Sequence, residues 1–216
     1  IDGVLETDNL TIGGAQGSDG QVLTSTGSGV GWEDASGGGS SITFKEGGTN
    51  FTNSIMIGDD ATGTLNAATG NTGLGVDIFA ALTTGDNNVA VGLNALEAMT
   101  TGHSTVAIGM NALFRTTTGV NSVGVGQEAL QANTTGKHNV ALGGFALVSN
   151  TTADANVAVG INVLQANTTG AQNVAVGGFS LDAATTASYN TAVGYGSLGA
   201  CTTGEYNVAI GNQAMG

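Results

Sequence analysis

The chain has 216 residues, of which 38 are glycine and none proline, and only 9% are charged. Lys45, Arg115 and Lys137 stand alone against 16 acids, and a net charge of −13 leaves no basic surface for a phosphate backbone, which argues against nucleic-acid binding. The single cysteine, Cys201, rules out an intrachain disulfide, and no apolar run nears the roughly 18 residues of a membrane helix. The 40% apolar content supplies enough hydrophobic surface to argue against disorder. Ile1 is not an initiator methionine and no signal peptide follows it, so the sequence reads as a processed product or a fragment.

Residues 1–35 follow no repeat. They alternate as short strands between glycine and serine turns, at Val4-Leu5, Leu10-Thr11-Ile12, Gln21-Val22-Leu23-Thr24 and Val30-Gly31-Trp32. Gly13-Gly14 and the GSGVG stretch make no phosphate loop, because no lysine and no helix pattern follow them. Trp32 reads as the anchor of a small apolar cluster before it reads as a ligand platform. A Ser/Gly linker from Ser36 to Ser41 and a lead-in, together 36–52, separate this docking segment from the remainder.

From residue 53 to 216 a glycine returns every 17 residues, at Gly58, Gly75, Gly92, Gly109, Gly126, Gly143, Gly160, Gly177, Gly194 and Gly211. A fixed short period over three quarters of a chain is the signature of a solenoid. Before each glycine the residues alternate large–small–large, as in Val89-Ala90-Val91 and Val157-Ala158-Val159, which is a strand period. The expected arrangement turns the Val/Ile/Leu rows inward and the Ala/Gly row outward. Beyond the glycine an Ala-Leu pair, such as Ala95-Leu96 or Ala129-Leu130, is expected to form a second short strand whose leucine closes the core. It is too short to nucleate a helix.

Thr-Thr-Gly turns recur at Gly85, Gly102, Gly119, Gly136, Gly170 and Gly204, with the glycine expected at positive φ and replaced by Ala153 and Ala187 in two rungs. Asparagine opens the strand at Asn71, Asn88, Asn139, Asn156, Asn173, Asn190 and Asn207, and stacked amides predict a hydrogen-bonded ladder. The fold class is therefore all-β, a parallel β-solenoid of ten rungs on the order of 50 Å long.

A continuous outward row of small apolar residues marks an interaction surface. Ala90, Ala107, Ala141, Ala158, Ala175, Ala192 and Ala209 are the expected homo-oligomer interface. The last rung stops at Gly216 without a return turn. Either N-terminal strands, through Val4, Leu5, Leu10 and Ile12, dock end to end onto Ile210 and Met215 of another copy, or the array has been cut.

Repeats such as NVAVGLNAL and NVAIGNQAM resemble the head repeats of trimeric autotransporter adhesins. They are more similar still to the TTG-x-x-N-x-A-V-G-x-x-A-L arrays of phage tail fibres and bacterial surface proteins. The resemblance covers about Asn53 to Gly216. It implies a left-handed parallel β-roll, trimeric, in a fibre or stalk. The GSDGQVLTSTGSGVGWEDA stretch likewise resembles segments that precede fibre domains.

Chemistry is hard to find. Asp77, Asp86, Glu97, Glu128, Asp154, Asp182 and Glu205 scatter across repeat positions, and within the rod only Asp59-Asp60 are adjacent. No calcium-binding GGxGxD repeat and no metal-spaced His/Cys cluster occurs. The alternating orientation of adjacent threonines weakens an ice-binding reading of the Thr-Thr rows. The expectation is a non-enzymatic, cofactor-free, self-assembling subunit of an extracellular or cell-surface fibre. The alternative is a segment of a trimeric tail fibre or adhesin that binds a surface glycan or receptor.

Overall fold

The computed structural model describes residues 67–216 in full, with the backbone strands at 11–12, 15–16, 21–25, 30–34, 43–48 and 51–58 and the side chains of 55–57. Two compact units divide the chain, Ile1–Ile42 and Thr43–Gly216. In the first, β1 (Thr11–Ile12) pairs antiparallel with β2 (Ala15–Gln16), and β3 (Gln21–Ser25) with β4 (Val30–Asp34). The latter hairpin sets Leu23 opposite Trp32. Val4, Leu5 and Leu10 lie outside the described residues, and Ile12 is the second residue of β1.

The second unit is a parallel β-solenoid. It opens with β5 (Thr43–Gly48) running antiparallel to β6 (Phe51–Gly58), so the expected lead-in already belongs to the solenoid sheet from Thr43 onward. From β6 the sheet continues in parallel through β8 (Thr72–Gly75), β9 (Val89–Val91), β10 (Val106–Ile108), β11 (Val123–Val125) and β12 (Val140–Leu142). It ends with β13 (Val157–Val159), β14 (Val174–Val176), β15 (Thr191–Val193) and β16 (Val208–Ile210). The two-residue β7 (Ala68–Thr69) pairs with β6 off this path. Each strand pairs with the equivalent residues of the next rung, as Ala107 does with Ala90 and Gly124. Nine such steps at about 4.8 Å make a rod about 43 Å long.

Gly92 shows why the repeat glycine is invariant along the chain. Its φ is 122°, and a Cβ there would lie 2.8 Å from both C and O of Gly109 in the next rung. The same contact recurs up the stack, so the column admits no side chain.

The expected second strand is absent. The Ala-Leu segment is a tight turn carrying left-handed residues, Asn94 at φ 57° and Leu96 at φ 54°, with Leu113 and Leu130 repeating the pattern. Left-handed backbone at a non-glycine residue costs about 1–2 kcal/mol. Complete burial of a leucine contributes about 1.5–3 kcal/mol, and Leu96, Leu113 and Leu130 are all fully buried. The turns also bond from rung to rung: Leu96 N donates to Ala112 O at 3.2 Å and Ala98 N to Phe114 O at 3.1 Å. Stacked turns thus satisfy the backbone without forming a second sheet.

The Thr-Thr-Gly glycines do not have the positive φ expected of them. Their constraint is packing. A Cβ on Gly119 would sit 2.8 Å from Gly136 O and 2.9 Å from Thr116 Cγ2, inside the coil. Ala153 and Ala187 occupy the same column buried, so one methyl is admitted where its neighbours yield.

The sheet faces are the reverse of the expectation. Ala90, Ala107, Ala141, Ala158, Ala175 and Ala192 are fully buried and Ala209 is 4% exposed, so the row expected to be an interface is the inner wall of the coil. Along most of the rod the coil is too flat for anything larger; Met56, 1% exposed in the same column, has room because its neighbour one rung on is Gly73. At Gly124 even a methyl would meet Leu113 Cδ1 at 3.0 Å and Ala129 O at 3.3 Å. The valines and isoleucines therefore point outward, and the core consists of Ala, Ala and Leu in most rungs. Where the strand gives up its methyl, at Gly73, the turn compensates with the buried Ile78 and Phe79.

Candidate interaction surface

The outward face of the sheet is built from three columns, at three residues before, one before and one after each repeat glycine. Val89-Val91-Leu93, Val106-Ile108-Met110 and Val157-Val159-Ile161 are representative. Within these columns Leu74 is 51%, Ile108 39%, Met110 41%, Leu142 38% and Ile161 53% exposed. No charged residue occupies any of the three columns from Thr72 to Asn212. The charges fall in turn columns instead, with Asp77 and Glu128 on one flank and Asp86, Lys137, Asp154 and Glu205 on the other. The result is an uncharged, largely aliphatic stripe along the sheet, with Thr72, Gln127, Thr191 and Asn212 as its polar members.

Polar ladders stiffen the coil behind this face. Asn88 Nδ2 donates to Asn71 Oδ1 at 3.1 Å, and Asn173 to Asn156, Asn190 to Asn173 and Asn207 to Asn190 at 3.0–3.1 Å. Asn139 Oδ1 accepts the backbone N–H of Asn156 at 3.0 Å, while Asn139 Nδ2 donates to Ala153 O. Thr105 and Ser122 fill the column where asparagine is missing, Ser122 Oγ accepting from Asn139 N at 3.2 Å. On the opposite side each first threonine of the turn donates its hydroxyl to the same threonine's carbonyl one rung on, as Thr151 Oγ1 does to Thr168 O at 3.0 Å.

A second amide ladder was not anticipated. Asn150 Nδ2 donates to Asn133 Oδ1 at 2.9 Å and Asn167 Nδ2 to Asn150 Oδ1 at 3.0 Å. The signal for it is the asparagine that precedes Thr-Thr at the same repeat position in three successive rungs, Asn133, Asn150 and Asn167. The ladder stops at Asn167, whose buried Oδ1 has no partner, because the next rung offers Ala184.

The end-contact residues of the described chain, Ile210 and Met215, are 72% and 62% exposed on the last rung. Tyr206 and Tyr189 stack there with centroids 4.8 Å apart and planes at 4°, one rung spacing. Cys201 is half-buried, its thiol 3.8 Å from Gly204 O, and His103 and His138 sit in exposed turns of different rungs. Among the described residues no three His, Cys, Asp or Glu side chains gather as metal ligands, and no helix is long and apolar enough to cross a membrane.

No protein-family model, no curated protein and no solved structure matches this chain.

Proposed function

We propose that the chain is a structural, self-associating rod segment of an extracellular or cell-surface fibre, assembled as a homotrimer through its aliphatic sheet face. The observation that carries this reading is the uncharged three-column face. At about 43 Å by about 15 Å it offers roughly 600 Å² per chain, on the scale of the surface each partner contributes to a stable interface. Its corrugation repeats at the strand spacing, so a second copy matches it rung for rung where a globular partner does not. The ladders of Asn and Thr give a rod that transmits load along its axis without needing a thick core. Trimer number follows the resemblance to adhesin heads and tail fibres.

Sedimentation equilibrium tests it. The chain sediments as a trimer, and Val123→Asp with Val157→Asp in one chain sediments as a monomer with unchanged strand content by circular dichroism. A wild-type chain that stays monomeric at about 100 µM overturns the reading. Negative-stain images of the same sample report whether copies also join end to end, as filaments with an axial repeat, or remain uniform short rods.

A further inference from the structure

Three Asn-x-Thr triplets stand in the turns of successive rungs: Asn133-Thr134-Thr135, Asn150-Thr151-Thr152 and Asn167-Thr168-Thr169. In an exported chain this triplet ordinarily marks a surface loop whose asparagine accepts an N-linked sugar. Here the three asparagines are the members of the second amide ladder, and each is 0% exposed.

The amide nitrogens have no hydrogen to spare. Asn133 Nδ2 donates to Thr116 Oγ1 at 3.4 Å and to Gly136 O at 3.1 Å. Asn150 Nδ2 donates to Asn133 Oδ1 at 2.9 Å and to Ala153 O at 3.3 Å, and Asn167 Nδ2 to Asn150 Oδ1 and Gly170 O, both at 3.0 Å. N-glycosylation forms a bond from Nδ2 to the anomeric carbon of a sugar. The bond from that carbon to its lipid diphosphate carrier breaks, and one amide proton leaves to base. One of the two buried hydrogen bonds is lost with that proton. Space fails as well. A methyl on Gly119 would stand 3.2 Å from Asn133 Nδ2, and one on Gly136 would stand 3.1 Å from Asn150 Nδ2. Even a methyl beside these nitrogens is crowded, and a pyranose has no place in the coil.

The two threonines of each triplet have separate roles. The first donates its hydroxyl across the rung, Thr134 to Thr151 O, Thr151 to Thr168 O and Thr168 to Thr185 O, each at 3.0 Å. The second, Thr135, Thr152 or Thr169, is exposed, and its hydroxyl makes no hydrogen bond among the described residues. That second threonine is the one the glycosylation motif requires. The motif can therefore be erased without touching the ladder.

We infer that the folded rod and a sugar on Asn133, Asn150 or Asn167 exclude one another, so the coil closes before the chain meets any enzyme that glycosylates Asn-x-Thr. A route of export that adds N-linked sugar to the unfolded, emerging chain is incompatible with this fold. The inference is independent of trimer or fibre formation.

The test sends the full chain through a eukaryotic secretory pathway beside a variant carrying Thr135→Ala, Thr152→Ala and Thr169→Ala. Each product is divided into protease-resistant and protease-sensitive fractions, and sugar is located site by site by mass spectrometry. The triplets at Asn9 and Asn50 are present in both chains and drop out of the comparison. In the wild type, sugar on the three ladder asparagines is confined to the sensitive fraction, and the resistant rod carries them bare. The variant recovers the rod that the wild type loses to glycosylation. Made in the bacterial cytosol, the two chains melt at the same temperature, which shows that the substitutions leave the coil intact. Bare asparagines in every fraction of the wild type would show the coil closing ahead of the enzyme, the same order of events. Sugar on any of the three asparagines in protease-resistant rod overturns the inference. So does equal recovery of rod from the two chains when the wild type is glycosylated at these sites.

Discussion

The two faces of the solenoid strand carry the same kind of residue and obey opposite rules. On the inner face of every rung from Gly73 onward nothing larger than a methyl is found, and at Gly124 even this would meet the Leu113 side chain at 3.0 Å. On the outer face Val, Ile and Leu stand partly in solvent, as Ile108 and Leu142 do at 39% and 38% exposure. In most globular domains bulk marks the inside. Here the space between a strand and the turn behind it decides, and that space is already filled by one leucine.

The sharpest break of this comparison is Gly126→Ala. Its φ of 132° and the backbone of Gly143 both forbid a side chain, so the variant loses about 3 kcal/mol or more in urea denaturation. Gly144→Ala, next to Gly143 in the following rung and with no atom within 4 Å of the added Cβ, stays within about 0.5 kcal/mol and serves as its control. Next in size is Ala158→Val, which forces two methyls into the inner wall and costs about 2–3 kcal/mol. Its outer neighbour change, Val157→Ala, costs under about 1 kcal/mol to the monomer, and so separates the faces by a factor readable in melting temperature. The smallest effect is a gain. Ala184→Asn gives the orphaned Asn167 Oδ1 a donor and extends the amide ladder, raising stability by about 1 kcal/mol.

Period, strand position and the parallel stacking were legible because they are set by a glycine column and an alternation that repeat without slippage. The buried leucine row was legible for the same reason. The facing was not. Large–small–large says that two faces differ without saying which is inside, and the answer depends on the depth of the coil, which the Ala-Leu turn determines. The turn itself was misread because leucine is a poor signature for left-handed backbone, and nothing local at Leu96 or Leu113 announces it.

The glycine column has a consequence for how such a chain changes over generations. Adding or losing one residue within a rung displaces every column after it and sets side chains against the backbone of the next coil. Adding or losing 17 leaves every contact intact. Length is therefore inherited in units: duplication or deletion of one repeat lengthens or shortens the rod by one strand spacing, about 4.8 Å, and reach can be tuned as on a ruler with a single graduation.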